Sequence, residues 1–336
     1  MSHRLLGTAS VLAASIAVVS LATVSLSGQA PASETKKKAE THASSAQRTS
    51  WGDPDLQGTW SYASLTPLER PAAMEGRAFF TPEEAAKREA DTQVDAPPRP
   101  GDPGTYNALW FDRGKVDSKL RTSLIVDPPD GRLPLSPEGR KTVTALAERR
   151  RAHPADSWND RSAWDRCITY HGVPPISTGY NNTYQIFQTP GYVAILVENI
   201  HDVRMIPLDG RPRLSDAIRQ WNGDSRGHWE GNTLVVETAN YSEKTELRFP
   251  ASKNTRAVER FTRVSNDLID YQFTIDDPTL YTKPWTAVRP MPRLVNYQIY
   301  EYACHEGNYA MSGILGGARA DEKAAEGAAK RSSSSK

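Results

Sequence analysis

The longest run of β-branched and aliphatic residues beyond the N-terminus lies between residues 192 and 206. Turn signals flank it, Thr189-Pro190-Gly191 before it and Leu208-Asp209-Gly210 after it, so the sequence predicts one long strand with a hairpin at each end. Successive side chains of a strand point to opposite faces, and the more apolar face of this run also carries Asn199 and His201. We expect that face to look into a core or a cavity, which makes Asn199 and His201 the first candidates for a functional site.

The second half of the chain alternates apolar and polar residues in short runs between turn sequences, which is typical of an antiparallel meander. The clearest run is 268–276, where Ile269, Tyr271, Phe273 and Ile275 share one face. Further strands are predicted at 124–126, 184–188, 226–229, 233–238, 256–264, 285–288 and 298–305. The sequence therefore predicts a mainly β fold, with the meander closing into a lipocalin-like (calycin-type) barrel; a sandwich is the alternative.

The N-terminal third of the chain is rich in proline and contains few predicted strands. Two N-cap sequences, Thr81-Pro82-Glu83-Glu84 and Ser136-Pro137-Glu138, predict helices that end at about Ala90 and Arg151. We expect this third to form an irregular collar with two short helices, packed on the barrel rather than folded as a domain of its own.

Both ends of the chain differ from the β-rich part. Residues 1–32 combine a basic start, an apolar run and the Ala30-Pro31-Ala32 pattern of a signal peptide. A retained N-terminal anchor is the alternative, because the apolar run is nearly long enough to span a bilayer. We predict a polar, disordered tether at 33–50 and a flexible tail at 316–336, which leaves 51–315 as a single β-rich domain. The protein is therefore expected in the periplasm or outside the cell.

Charge and cysteine content narrow the possible partners. The 41 basic and 40 acidic residues nearly balance, so nothing indicates a nucleic-acid partner. We expect contact with a membrane only through an uncleaved N-terminal segment. The two cysteines, Cys167 and Cys304, predict a disulfide in an exported chain, with two free buried thiols as the alternative.

The chain lacks the motifs of zinc proteases, serine hydrolases, phosphate-binding loops and dithiol redox proteins, so we expect neither a metal nor a cofactor. The remaining acid–base candidates are His201, His305 and Glu306. An imidazole with a carboxylate partner in a partly dry cavity can move a proton near neutral pH. Asp202 would point away from His201 in a strand, so the partner would come from another strand; His305, Glu301 and Glu306 are the candidates. The alternative is that His201 and Asn199 are buried polar groups satisfied by hydrogen bonds.

A second set of candidates would bind a planar or sugar-like ligand. It consists of Trp60, Tyr184, Asn199, Arg204 and Trp285. The alternative for the aromatic residues is packing inside the barrel. The alternative for Arg204 is a solvated ion-pair patch with Asp224, Arg226 and Glu230.

Eight blocks of sequence carry a family resemblance. They are WGDPDLQGTW at 51–60, RC at 166–167, YQIFQTPGY at 184–192, IHDVR at 200–204, WEGNTLVVET at 229–238, VERF at 258–261, TKPW at 282–285 and YACHEGNY at 302–309. Together they resemble a family of exported, mostly uncharacterised bacterial proteins that is common in soil organisms. The resemblance covers nearly all of 51–320 and implies export, without an established activity. Separately, Gly58-Thr59-Trp60 is similar to the element that opens lipocalin-type barrels, where the tryptophan plugs the closed end.

These observations predict an exported β-barrel that binds a small, partly apolar or aromatic molecule. The first alternative is a metal-independent enzyme of the isomerase, lyase or hydratase type, using His201 with a carboxylate or with His305. The second is a structural protein of the cell envelope whose barrel is filled by side chains. A solidly packed interior would favour this last alternative.

Overall fold

The computed structural model describes residues 47–94, 111–170 and 172–334. The predicted signal peptide at 1–32 and most of the tether at 33–50 lie outside the described residues. Two antiparallel sheets and three α-helices make up the described part, which confirms a mainly β fold. None of the helices within these ranges is long and apolar enough to cross a membrane.

Ten strands are described. In chain order they are β1 (Gly58–Ser61), β2 (Ile125–Asp127), β3 (Thr183–Thr189), β4 (Tyr192–Val197), β5 (Val203–Pro207), β6 (Asp224–Glu230), β7 (Thr233–Ala239), β8 (Arg256–Ser265), β9 (Leu268–Asp276) and β10 (Trp285–Pro292). Hydrogen bonding joins them into a four-stranded sheet, β1-β3-β4-β5, and a six-stranded sheet, β2-β10-β9-β8-β7-β6. Within the described residues these ladders do not close into one barrel, and an isolated bridge between Trp60 and Arg293 connects the two sheets.

The predicted long strand at 192–206 is wrong, because the segment is a hairpin. β4 and β5 pair antiparallel, with Leu196 opposite Val203 and a 3₁₀ turn at Asn199–His201 between them. Ile200 and His201 have φ angles of 60° and 46°, a left-handed conformation that ends the extended strand. The chain therefore reverses in the middle of what the sequence presents as one apolar run.

The turn also changes which alternating positions face the core. On β4, Ile195 is fully buried, in agreement with the predicted face. On β5 the predicted face is exposed, since Val203 and Met205 are 59% and 55% accessible, whereas Arg204 and Ile206 are buried. The register predicted for the first half of the segment thus fails after the turn.

The two helices predicted in the N-terminal third are confirmed as α1 (Pro82–Asp91) and α2 (Pro137–Ala152). Both begin as the sequence indicates. The Thr81 side chain accepts a hydrogen bond from the backbone of Glu84, and the Ser136 side chain accepts one from the backbone of Gly139. N-cap signals are local, which is why they could be identified without knowledge of the packing.

The C-terminal segment differs from its prediction. The strand predicted at 298–305 is wrong, because this stretch is irregular and lies outside both sheets. The sequence predicts a flexible tail at 316–336 that forms a frayed helix at best, and the structure has helix α3 (Ala310–Ser334) there. Its alanine-rich composition favours a helix, and Arg319 fixes it by donating to the carbonyl oxygens of Ala155 and Asp156 at 3.1 and 3.0 Å.

One hydrophobic cluster combines side chains from both sheets. Its largest members are aromatic and fully buried; they include Trp60, Tyr62, Tyr184, Phe261, Tyr271, Phe273 and Trp285. The alternation predicted for β9 is confirmed, with Ile269, Tyr271, Phe273 and Ile275 all at 0% exposure. Each aromatic ring buries a large area. The space between the sheets is therefore filled mainly by side chains of the protein.

Candidate functional site

The structure divides the predicted site residues into two groups. The predicted ligand-binding residues are all buried; they are Trp60, Tyr184, Asn199, Arg204 and Trp285. The predicted acid–base residues, His201, His305 and Glu306, are all exposed. The expectation that His201 points into the core together with Asn199 is therefore wrong, because both belong to a turn and not to a strand.

His201 is fixed by the main chain of the C-terminal segment. Its Nδ1 lies 2.9 Å from the carbonyl oxygen of Tyr302. Because a carbonyl oxygen can only accept, Nδ1 carries the hydrogen of this bond. No carboxylate of the described residues bonds to His201, and the neighbouring Asp202 is instead bonded to the Asn222 amide at 3.3 Å. A catalytic role for His201 remains a prediction.

A pocket of about 420 Å³ lies next to the hydrogen bond between His201 and Tyr302. It is lined by Trp164, Asp165, Glu301, Tyr302, Ala303, Cys304, Asn308 and Ala310. Its volume is in the range of sites that bind small molecules. We call it the disulfide pocket, because two segments that are remote in sequence form it around the Cys167–Cys304 bond.

The predicted disulfide between Cys167 and Cys304 is confirmed. It joins residues 137 positions apart, with a Cα–Cα distance of 5.7 Å. The Asn308 side-chain amide donates to the Cys167 Sγ at 3.0 Å and adds a second link between the segments. The bond therefore holds the two walls of the disulfide pocket together.

Two contacts hold Trp164, an aromatic residue of the pocket lining, in place. Trp164 stacks on Tyr170, with ring centroids 4.7 Å apart and an interplanar angle of 26°. The Trp164 Nε1 donates to the Tyr302 hydroxyl at 3.3 Å, which connects the two walls. An aromatic surface fixed in this way can receive a second flat ring without further ordering.

The charge at the pocket is negative. Asp165 is paired with Arg161, whose Nη2 lies 2.9 Å from Oδ2. Glu301 is exposed and has no ion-pair partner among the described residues. The pocket thus combines an aromatic wall with a carboxylate that is free to meet a cation.

Arg204 belongs to a buried polar network and not to the solvated patch that the sequence left as an alternative. Its guanidinium pairs with both carboxylate oxygens of Glu259, which is fully buried. The remaining donors reach Ser225 at 2.9 Å and Thr238 at 2.8 Å, and Tyr271 donates to Glu259 at 2.8 Å. Each of the three guanidinium nitrogens of Arg204 therefore has a hydrogen-bond partner within the network.

The other buried candidates serve packing. Trp60 donates from Nε1 to the Leu56 carbonyl oxygen at 2.9 Å, and the Arg263 guanidinium lies 5.5 Å from the centre of its ring. Trp285 packs edge-on against Phe249 at 5.1 Å. These contacts place both tryptophans in the hydrophobic cluster, as the packing alternative predicted.

Two residues of the pocket, Trp164 and Tyr302, are not among the site residues predicted from the sequence. Trp164 lies in a segment without alternation, so no periodic signal separated it from the other tryptophans. Tyr302 was placed on the last predicted strand, which does not form. Only the prediction of a disulfide could have indicated that these two residues meet, because it brings their segments together.

A comparison with models of known protein families finds no match, and a comparison with curated protein sequences finds none either. The function is therefore argued from the geometry and chemistry of the site.

Proposed function

We propose that the protein binds a small aromatic molecule that carries a positive charge, and that the disulfide pocket is its site. One observation carries this proposal: the fixed ring of Trp164 and the unpaired carboxylate of Glu301 line the same pocket. The sequence suggests a partly apolar or aromatic ligand. The negative charge of the pocket narrows this class to aromatic molecules that carry a positive charge.

The two pocket features act on different parts of such a ligand. A flat ring packs on Trp164, and an adjacent cationic group is attracted both by the face of the indole and by the Glu301 carboxylate. Ala303 and Ala310 add apolar surface to the lining. An anionic ligand of the same shape would be repelled by Glu301.

We propose that the two sheets form a filled, lipocalin-like barrel that serves as the scaffold for this pocket. The bridge between Trp60 and Arg293 and the shared aromatic core support that arrangement. A large ligand between the sheets would have to displace rings that are fully buried, whereas the disulfide pocket is open to a ligand from the surface.

Calorimetric titration with benzylamine and with benzoate tests the proposal, since the two probes share a ring and differ in charge. Benzylamine should bind and benzoate should bind more weakly. Replacing Trp164→Ala should weaken benzylamine binding by about 2- to 30-fold through loss of stacking and cation–π attraction. The matched control is Trp158→Ala, which removes a tryptophan that is 52% exposed and lies outside the pocket.

The contribution of the carboxylate is tested separately. Glu301→Gln should lower the affinity for benzylamine by about two- to fivefold, as expected for an exposed charge pair. Glu306→Gln, an exposed residue of the same segment that does not line the pocket, should leave it unchanged. Equal affinities for benzylamine and benzoate, or equal losses in the two tryptophan variants, would contradict the proposal.

We also propose that the protein is exported to the periplasm or the medium and belongs to the exported bacterial family that it resembles. The disulfide supports an oxidising compartment, where such bonds persist. Intact mass and N-terminal sequencing of protein secreted by its host should give a chain that begins at Ser33. A chain that begins at Met1 and carries two free thiols would contradict export.

A further inference from the structure

The interior contains a second buried arginine, Arg289, in a row of otherwise apolar residues. The inward positions of β10 are Trp285, Ala287, Arg289 and Met291, and each is at most 1% exposed. A guanidinium in such a row needs hydrogen-bond acceptors and a counter-charge, because burial removes it from water.

Only one of the three nitrogens of the Arg289 guanidinium has acceptors. Nη1 donates to the carbonyl oxygens of Tyr62 and Pro175, both at 3.2 Å. Nε and Nη2 are buried and have no hydrogen-bond partner. Buried donors are nearly always paired in folded proteins, because an unmade hydrogen bond is costly.

Arg289 also has no counter-charge among the described residues. The groups that act on it electrostatically are three tyrosines; burial lowers the pKa of Arg289, and Tyr271, Tyr62 and Tyr184 oppose this shift. Arg204, in the same core, is paired with Glu259. Since an isolated buried cation is strongly disfavoured, the environment of Arg289 favours an added negative charge.

Tyr184, on β3, supplies a further donor. Its side chain is 1% exposed and its hydroxyl has no hydrogen-bond partner. Its ring packs edge-on against Tyr62 at a centroid distance of 4.8 Å, and Tyr62 is the residue whose carbonyl oxygen accepts from Arg289. Two guanidinium nitrogens and one hydroxyl group therefore lie without hydrogen-bond partners in the same region of the interior.

We propose that a small monovalent anion binds in the interior, held by Nε and Nη2 of Arg289 and by the Tyr184 hydroxyl. One negative charge balances one guanidinium, and the edge formed by Nε and Nη2 matches the two oxygens of a carboxylate. A halide ion or a carboxylate group supplies that single charge. This site is independent of the disulfide pocket.

Crystals of the protein grown in sodium bromide and in sodium formate test the site directly. We expect an anomalous bromide peak, or a formate molecule, within hydrogen-bond distance of Arg289 Nε and Nη2. A peak for either anion supports the proposal and identifies its source as halide or carboxylate. Ordered water alone at Arg289 under both conditions would overturn it.

Thermal melting in solution provides a second test that does not depend on crystals. At constant ionic strength, replacing gluconate by bromide or formate should raise the melting temperature, and the larger response assigns the site to a halide or a carboxylate. Arg289→Met should abolish the response. Tyr184→Phe should raise the half-saturating anion concentration by about tenfold, because one hydrogen bond to a charged group is lost.

The matched control is Tyr281→Phe, since the Tyr281 hydroxyl donates to the Pro250 carbonyl oxygen at 2.6 Å, outside the proposed site. It should keep the anion response of the wild type. If Arg289→Met does not fold, Tyr184→Phe and Tyr281→Phe still decide the question. The same anion response in these two variants, or no response in the wild type, would contradict the proposal.

Discussion

Glu259 compensates the buried positive charge of Arg204. Its carboxylate is fully buried and receives hydrogen bonds from Arg204 and from Tyr271. A buried ion pair contributes little net stability when intact, but removing one partner leaves the other charge without compensation. The cost of a substitution at Glu259 therefore measures how well this part of the core excludes water.

Glu259→Ala should lower the free energy of unfolding by about 3–5 kcal/mol, because it leaves the Arg204 guanidinium buried and unpaired. Urea denaturation measures the change. The control is Glu237→Ala, which breaks an exposed pair with Arg213 and should cost less than about 1 kcal/mol. Similar losses in the two variants would show that the Arg204 site is open to water.

A substitution at His201 tests the hydrogen bond that joins the β4–β5 turn to the C-terminal segment. His201→Ala removes the hydrogen bond to the Tyr302 carbonyl oxygen and should cost less than about 1 kcal/mol, since the side chain is exposed. Hydrogen exchange should increase between residues 298 and 309 and stay unchanged in β9. A large loss of global stability would contradict the surface position of His201.

At the level of secondary structure, the strands with clean alternation could be predicted and the turn within 192–206 could not. β9 alternates without interruption, so its buried row follows from sequence. The 198–202 turn contains neither glycine nor proline, and Ile200 adopts a left-handed conformation that β-branched residues rarely take. Its conformation depends on contacts with the rest of the molecule, among them the bond from His201 to Tyr302.

The candidate site was less predictable than the fold for a related reason. The disulfide was predicted from two cysteines in an exported chain, but its effect on Trp164 and Tyr302 requires the path of both segments. Apart from Ala310, the first residue of α3, the pocket lining belongs to irregular segments, so no periodicity places its side chains. The inward position of Arg289 could have been predicted from alternation, because Arg289 lies in the same inward row as Trp285.

The Cys167→Ser, Cys304→Ser double variant should lose about 2–5 kcal/mol of stability, the usual range for removal of a native disulfide. Benzylamine binding should be lost as the two pocket walls separate, whereas amides of β8 and β9 should stay protected from exchange. Asn308→Ala is the comparison variant, because it keeps the disulfide and removes two hydrogen bonds of the pocket-lining Asn308 side chain, one to the Cys167 Sγ and one from the Ala310 backbone amide. Unchanged benzylamine affinity in the double variant would contradict the role assigned to the disulfide.

At the scale of the whole molecule, the described interior contains four tyrosines that are almost completely buried. Tyr62, Tyr184, Tyr241 and Tyr271 are each at most 1% exposed. Burial raises the pKa of all four above the ordinary value of 10.0, because the charged phenolate is disfavoured away from water. Folding stability should therefore depend on pH in the alkaline range.

The direction of this pH dependence follows from the protonation of the tyrosines in the folded and unfolded chain. Below pH 10.0 these tyrosines are neutral in both the folded and the unfolded chain, so the stability they contribute is fully present. Above pH 10.0 the unfolded chain releases their protons and the folded chain does not, so the free energy of unfolding falls as pH rises. Denaturant unfolding at successive alkaline pH values, with tyrosinate absorbance, checks this. A stability that is constant through this range would contradict the buried state of the four hydroxyls.

The most direct test of the proposed function is a crystal structure of the protein soaked in benzylamine. We expect one benzylamine in the disulfide pocket, with its ring on Trp164 and its ammonium group next to Glu301. A soak with benzoate under the same conditions should leave that pocket without an aromatic ligand. Benzylamine bound only elsewhere, or benzoate bound equally well in the pocket, would contradict the central claim.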